Sequence, residues 1–238
     1  MSAWWVSRSV GVTLVLVLTL TACDALPGRP TAADRELLPS EVMAFDALYG
    51  RHCAGCHGAD GRLGAARPLN DSVYLSLIPR DRLRTIIANG VPDTAQPASA
   101  ISAGGALTER QIDALVDGLI ARWGRPPMGT DLPLPPYAAP AGTAPGDVAR
   151  GQAVFASACA RCHGRDGRGD EQAGSVVEPA YLALVSDQSL RTTVIAGRTD
   201  LGMPDWRGYI PGRPLTAQQV SDVVAWLVTN RAPVVGRP

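Results

Sequence analysis

One short pattern, present twice, constrains this chain more than any other feature. Residues 53–57 read Cys-Ala-Gly-Cys-His and residues 159–163 read Cys-Ala-Arg-Cys-His, 106 positions apart. On a helical turn the two sulfurs and the imidazole of each string lie on neighbouring parts of one face. Two thioether bonds to a haem and one bond to its iron can then form from the same side, which is the C-x-x-C-H mode of haem attachment. The pattern predicts two haem c groups, attached covalently through Cys53, Cys56, Cys159 and Cys162, with His57 and His163 as iron ligands.

Two other uses of paired cysteines fit this chain less well. A zinc ribbon would place its two pairs within about 20 residues of each other, much closer than the pairs here. A redox-active dithiol would need a thioredoxin-like alternation of strands and helices, and the sequence has no sustained strand alternation. Haem attachment is therefore the favoured interpretation.

The segments that carry the two motifs are copies of one another. Cys53 matches Cys159 at an offset of 106, Gly90 matches Gly197 at 107, and Leu107 matches Leu215 at 108. A nearly constant offset over so many positions indicates a tandem duplication of one domain of about 85 residues. We expect domain 1 at 41–125, a proline-rich linker at 126–145 and domain 2 at 146–232.

Helix signals recur at the same places in both copies. Ser40 and Asp147 are candidate N-caps for the helices that run into the haem motifs. Thr108 with Gln111, and Thr216 with Gln219, fit capping boxes that open two amphipathic closing helices. Gly90 and Gly197 are expected to end the middle helices. The predicted fold is all-α, with two tandem small helical domains that are each built around a covalent haem.

Composition agrees with a prosthetic group that fills the interior. The chain has only twelve aromatic residues against 45 glycines and prolines, so an ordinary aromatic core is not expected. It carries 22 basic and 22 acidic residues, and this balance gives no indication of a nucleic-acid partner.

The N-terminus resembles a bacterial lipoprotein signal. Residues 1–22 have a positive start and an apolar run from Val10 to Leu20, and Leu-Thr-Ala-Cys at 20–23 resembles a lipobox. The run is shorter than the roughly 20 residues that span a bilayer. We expect cleavage before Cys23, lipidation of its thiol and a flexible tether at 23–40. The alternative is an uncleaved anchor helix from near Trp4, and both place the rest of the chain in the periplasm.

Each half resembles a class I cytochrome c domain. The resemblance rests on an aromatic residue four positions before the first cysteine (Tyr49, Phe155), on C-x-x-C-H-G, on a later proline and on a closing amphipathic helix; it covers 41–124 and 146–230. It implies that His57 and His163 are proximal ligands, each oriented by the carbonyl of a following proline, with Pro68 and Pro179 as candidates. It also implies that Met203, in Gly-Met-Pro-Asp-Trp at 202–206, is the sixth ligand of haem 2.

The distal side of haem 1 differs. The 107 offset maps Met203 onto Gln96 and Trp206 onto Ser99. The sequence leaves three alternatives: Gln96 binds iron through its amide oxygen, Met128 approaches from the linker, or the iron has no protein ligand there. We expect a weak or absent protein ligand with Gln96 lining the site. An oxygen donor or open site lowers the potential relative to a thioether, which predicts electron flow from haem 1 to haem 2.

Two functions remain open at the sequence level. The favoured one is a membrane-tethered periplasmic electron-transfer protein that acts between a quinol-oxidising complex or dehydrogenase and a terminal acceptor. It would work as a carrier with redox protein partners or as a subunit of a respiratory or photosynthetic complex, without being an enzyme itself. The rival is a haem enzyme or small-ligand sensor at an open haem 1, with Asp93 and Gln96 as the polar candidates.

Overall fold

The computed structural model describes residues 34–125 and 132–232. Described residues from Val42 onward form one compact unit, and residues 34–41 belong to a separate one. In the latter, a 3-10 helix spans Pro39–Glu41 and Arg35 pairs with Glu41. The predicted signal peptide, Cys23 and Met128 lie outside the described residues.

The first half contains five α-helices. Two of them lie end to end at the haem motif, two follow in the middle, and a long helix closes the half. They are α1 (Phe45–His52), α2 (Ala54–His57), α3 (Ser72–Leu77), α4 (Arg80–Asn89) and α5 (Glu109–Trp123).

The second half repeats this order, as the duplication predicts. A helix leads into the motif turn, two helices follow, and an amphipathic helix closes the half. They are α6 (Val148–Ala158), α7 (Ala160–His163), α8 (Pro179–Ala183), α9 (Asp187–Ala196) and α10 (Ala217–Val228). Among described residues there are isolated β-bridges but no strands, so the all-α prediction is confirmed.

Most of the predicted helix boundaries are confirmed. Asp147 caps α6 by accepting a hydrogen bond from the backbone N–H of Arg150. Both capping boxes form, at Thr108 and at Thr216. The middle helices α4 and α9 end at Gly90 and Gly197, with φ of 66° and 74°, where glycine avoids strain. The expected cap at Ser40 is wrong, because α1 begins at Phe45 after Ala44, with no side-chain cap.

The first and last helices of each half cross closely, and each crossing needs a glycine. In the first half Gly118 of α5 faces the ring of Phe45 on α1, and a Cβ at Gly118 would overlap that ring. In the second half the glycine is on the first helix and the large residue is on the last. Gly151 lies on α6, where a Cβ would overlap the backbone of Asp222 and approach Trp226 on α10. The two crossings thus keep one large and one small residue but swap the helices that carry them.

A tryptophan links each closing helix to the loop after the haem motif. The Trp123 ring lies against Gly61 and the Trp226 ring lies against Gly167, two glycines with φ of 73° and 78°. Trp123 also meets the Tyr49 ring edge-on at 5.2 Å between centroids, whereas Trp226 lies 4.3 Å from Phe155. In each half these contacts pack the closing helix against the residues on either side of the haem motif.

The described part of the linker is fastened to the second half. The Arg191 side chain, only 6% exposed on α9, donates hydrogen bonds to the carbonyls of Pro136 and Tyr137. Gln188, one turn earlier, also donates to the Tyr137 carbonyl at 2.8 Å. Residues 136–137 of the expected linker are therefore bound to the second half by hydrogen bonds.

Candidate haem sites

Each haem motif forms a single helical turn after a break in the chain. Cys53 separates α1 from α2, and the backbone N–H groups of Cys56 and His57 both donate to the Cys53 carbonyl, at 3.2 and 3.0 Å. The equivalent pair in the second half, Cys162 and His163, donates to Cys159 at 3.1 Å in both cases. The turn geometry that covalent attachment requires is thus built into both halves.

A backbone carbonyl fixes each histidine ring. The Nδ1 atom of His57 lies 2.6 Å from the carbonyl oxygen of Arg67, and Nδ1 of His163 lies 3.1 Å from that of Gly174. A donated Nδ1–H leaves Nε2 unprotonated and free to bind iron. Burial also lowers the pKa of His57, which favours the neutral form that a ligand must have.

The predicted acceptors, Pro68 and Pro179, are wrong. The oxygen that His57 meets belongs to the residue before Pro68, and the one that His163 meets lies five residues before Pro179. Pro179 instead opens α8 at a position where its missing N–H has no cost. The loop after each motif does supply the acceptor, but the chain path decides which carbonyl points at the ring.

The first cysteine of each pair is held as a thiol. Burial raises the pKa of Cys53 to about 11 and that of Cys159 to about 12. Redox-active dithiols have lowered pKa values, so these sites do not resemble one. In the described parts of the chain no group of three or more His, Cys, Asp or Glu side chains could hold a metal ion, so the pairs do not converge as in a zinc ribbon.

The distal loops have the same backbone in both halves. The N–H of Val91 donates to the Gln96 carbonyl at 3.0 Å, and the N–H of Arg198 donates to the Met203 carbonyl at 3.1 Å. Val91 and Arg198 directly follow the glycines that end α4 and α9. Gln96 therefore occupies the structural position of Met203, as the sequence offset predicts.

The side chains on these loops differ. Met203 is partly buried against the core, and Trp206, three residues later, is only 2% exposed. Gln96 is partly exposed; its side-chain amide donates to the Pro97 carbonyl at 3.4 Å and lies near enough to the His57 ring to act on the pKa of that ring. Ser99 replaces Trp206 in the first half, yet its N–H keeps the equivalent bond, to the Ala88 carbonyl at 3.1 Å. A proximal histidine thus faces a polar amide in one half, while the other half has a thioether on its loop.

Comparison with known proteins agrees with this geometry. Residues 148–231 match the family model described as cytochrome c, and residues 40–117 match the model described as cytochrome c oxidase, cbb3-type, subunit III. The chain is a c-type cytochrome. Its two matched regions correspond to the two helical halves, and haem c is the group that such domains bind.

Proteins similar to this cytochrome include subunits of cbb3-type oxidases and a thiosulfate dehydrogenase. The CcoP subunit of the cbb3-type oxidase of Azospirillum sp. is 29% identical over 79% of this chain and 63% of its own length. The FixP subunit of Azorhizobium caulinodans is 26% identical over 72% of this chain and 55% of its own. A thiosulfate dehydrogenase of Stutzerimonas stutzeri is 29% identical over 64% and 49%. The chain thus spans about half to two thirds of the length of these relatives.

The two halves of the cytochrome also touch beside their haem motifs, which sequence reasoning missed. The Arg67 side chain donates to the Ser189 carbonyl on α9 at 3.2 Å and to the Thr193 hydroxyl. In return Arg198, which precedes the Met203 loop, donates to the Gly64 carbonyl at 3.3 Å. The loop that orients His57 is therefore fastened to the helix and loop that carry Met203.

One atom of this contact is left without a partner. Nη1 of Arg67 is shielded from solvent, and no hydrogen-bond acceptor in the described residues reaches it. A buried guanidinium nitrogen in that state is costly, so the site fits a bound group with anionic oxygens. Haem, with its carboxylates, is such a group, and the thiols and imidazoles fit its other attachment points.

Proposed function

We propose that this cytochrome binds one haem c in each half and transfers single electrons between redox proteins. Cys53, Cys56 and His57 would hold haem 1, and Cys159, Cys162 and His163 would hold haem 2. The observation that carries the proposal is the repeated pairing of a C-x-x-C-H turn with a histidine whose Nδ1 is fixed by a backbone carbonyl. When bound, haem supplies a reversible one-electron change at its iron.

The protein's own residues would make the two sites unequal. Met203 would offer a soft thioether to haem 2, from a loop that also carries the buried Trp206. Gln96 offers only an amide on the side of haem 1. Since a thioether stabilises ferrous iron better than a hard oxygen donor, we expect haem 1 at the lower potential and electron flow from haem 1 to haem 2.

The proposed setting is the periplasmic face of a bacterial cytoplasmic membrane. Lipidation of Cys23, outside the described residues, would hold the chain there, and residues 23–40 would be the tether. Along the described chain no helix is long and apolar enough to cross a membrane. The likeness to CcoP and FixP, which are oxidase subunits, supports a terminal oxidase as the electron acceptor, with this chain as a bound subunit or a tethered carrier.

Mass spectrometry and redox titration of the full chain test the proposal. We expect two covalent haems in the wild type and one in each of two variants, Cys53→Ala/Cys56→Ala and Cys159→Ala/Cys162→Ala. Titration should give two one-electron steps, with the lower step missing in the Cys53→Ala/Cys56→Ala variant. A single haem in the wild type, or loss of the upper step in that variant, contradicts the proposal.

A second candidate is an oxidoreductase that acts on a small anion at haem 1. The likeness to a thiosulfate dehydrogenase and the polar side chain of Gln96 opposite His57 favour it. Asp93, the other sequence candidate, is a turn residue with φ of 64°. Reduction of the haems by thiosulfate alone, lost in Gln96→Met but kept in Asp93→Ala, would favour this candidate; unchanged oxidised spectra would exclude thiosulfate as the substrate.

A further inference from the structure

Arg67 is a cation with only neutral partners. Its Nη2 atom bonds to the Ser189 carbonyl and the Thr193 hydroxyl, and its guanidinium carbon lies 5.1 Å from the centre of the Tyr74 ring. Its Nη1 atom is buried and unbonded. A carbonyl, a hydroxyl and an aromatic face do not neutralise a guanidinium, so the positive charge lacks a direct counterion.

The charged groups near Arg67 bond to other partners. Burial lowers the pKa of Arg67 most, the Asp71 carboxylate acts to raise it, and Arg198 lowers it with a smaller effect. Arg198 has its own partner, because its Nε atom is 3.0 Å from the carboxylate of Asp200. Asp71, a carboxylate that acts on Arg67, accepts the backbone N–H of Tyr74 at 2.9 Å. Within the described residues the Arg67 guanidinium therefore has no carboxylate bonded to it.

This charge lies beside the site proposed for haem 1 and against the half that holds haem 2. The Arg67 carbonyl accepts the Nδ1–H of His57 at 2.6 Å, so its backbone would orient the proximal ligand of haem 1. Its side chain ends on α9, which leads into the Met203 loop. An anion held at Nη1 would thus be within reach of a haem edge.

We propose that Arg67 is a positioning residue whose free Nη1 binds a haem carboxylate at the contact between the two halves. The inference rests on the proposed haem binding. Arginine pairs with carboxylates more strongly than with neutral acceptors, and a haem carries propionate carboxylates that need such a partner when buried. Arg67 would then hold one haem edge and, through its carbonyl, the proximal ligand of haem 1.

Removal of the Arg67 charge is expected to change the midpoint potential of the haem that Arg67 binds. Arg67→Gln takes a cation away from a haem edge, which favours the ferric state and lowers the potential of the haem that it binds. Arg67→Lys keeps the charge, so its midpoint potentials should stay close to those of the wild type. Arg84→Gln is the matched control, because Arg84 pairs with Asp113 and Glu109 on the surface of the first half. A titration followed by EPR assigns any shift to haem 1 or haem 2.

The outcomes separate this inference from the proposed function. Haem content is measured first by mass; a wild type without two haems would fail the proposed function, whatever Arg67 does. With both haems present, a lower potential in Arg67→Gln, recovered in Arg67→Lys and absent in Arg84→Gln, supports the inference and identifies the haem. Potentials equal to the control overturn it. If Arg67→Gln does not fold, Arg67→Lys is the deciding variant. Midpoint potentials of both haems that differ from the wild-type values in Arg67→Lys overturn the inference.

An exchangeable anion could supply the same chemistry as the haem carboxylate. A titration of the wild-type protein with sodium sulfate, compared with Arg67→Gln, distinguishes the two. A covalently held haem carboxylate cannot be displaced, so the difference between wild type and Arg67→Gln should persist at all sulfate concentrations apart from ordinary screening. A potential that saturates with sulfate in the wild type but not in Arg67→Gln would show a free-anion site and overturn the inference.

Discussion

The two halves of this cytochrome have the same backbone path but differ in the side chains that face the proposed haems. Gln96 and Met203 take the same loop position, and so do Ser99 and Trp206, with equivalent backbone hydrogen bonds. The helix crossings differ too, because the pair Phe45 and Gly118 is replaced by the reversed pair Gly151 and Trp226. Duplication thus preserved the frame of each half, while the redox-tuning and packing positions diverged.

The halves also stabilise their helix pairs in different ways. In the second half Asp222, buried on α10, accepts hydrogen bonds from the backbone N–H of Asp147 and from Arg150 on α6, both at 2.9 Å. In the first half Ala114 takes the place of Asp222. There the Gln111 amide donates to the Val42 carbonyl at 3.0 Å. The second half depends on a buried charge where the first depends on a neutral amide.

The largest expected effect comes from making the second distal loop like the first. Trp206→Ser removes a ring that is only 2% exposed and leaves a cavity in the second half. We expect a loss of about 3–5 kcal/mol in the free energy of unfolding of the second half. Denaturation followed by far-UV circular dichroism measures it. The matched change in the first half, Ser99→Ala, should cost less than about 1 kcal/mol; equal costs would show that the loops do not differ in this way.

The glycines of the two helix crossings should differ in the same direction. A Cβ at Gly151 meets the Asp222 backbone, which is fixed in its helix, whereas a Cβ at Gly118 meets the Phe45 side chain, which can move by rotation about its Cα–Cβ bond. We expect Gly151→Ala to cost about 3 kcal/mol of stability and Gly118→Ala distinctly less. Thermal unfolding of the haem-loaded variants checks this.

Gly50 is the control for the glycine comparison. A Cβ there meets nothing within 4 Å, and Gly50 lies inside α1. Gly50→Ala should therefore stabilise the protein by about 0.5–1 kcal/mol. Loss of stability there, or equal costs at Gly118 and Gly151, would refute the packing difference between the crossings.

The smallest expected effect is at the buried carboxylate of the second half. The Arg150 guanidinium lowers the pKa of Asp222 to about 2, below the ordinary value near 3.9. Its contribution is therefore complete above about pH 4 and is lost as the pH falls toward 2. We expect Asp222→Asn to cost about 2 kcal/mol at neutral pH, with the difference from wild type shrinking below pH 4.

The first half supplies the control for this charge. Asp113 pairs with Arg84 on the surface, with 44% of its side chain exposed. Asp113→Asn should cost no more than about 1 kcal/mol. Chemical denaturation of both variants over a pH series measures the comparison, and a pH-independent Asp222→Asn difference would contradict the assigned role.

Local patterns predicted the frame of the fold well. The capping boxes at Thr108 and Thr216, the cap at Asp147 and the glycine stops depend on residues close in sequence, and all are confirmed. The offset that aligns Gln96 with Met203 also agrees with the structure, because a duplicated backbone keeps its register.

Features that depend on distant parts of the chain could not be predicted. The acceptors for the histidine rings are backbone carbonyls, which every residue has, so no residue type marks Arg67 or Gly174. The large and small residues at each helix crossing come from the first and last helices of a half, which are far apart in sequence. Arg191, whose side chain holds the linker, lies beside Leu190 in a motif that both halves share, and Arg84 in the first half binds carboxylates instead.

We propose that the two haem sites have different distal ligands. Low-temperature EPR of the oxidised full-length protein, with the wild type beside Met203→Gln, tests this difference. We expect two different ferric signals in the wild type, with the signal of the higher-potential haem altered in Met203→Gln and the other unchanged. A single signal shared by both haems, or two signals that Met203→Gln leaves unchanged, would show that the distal ligands do not differ in this way.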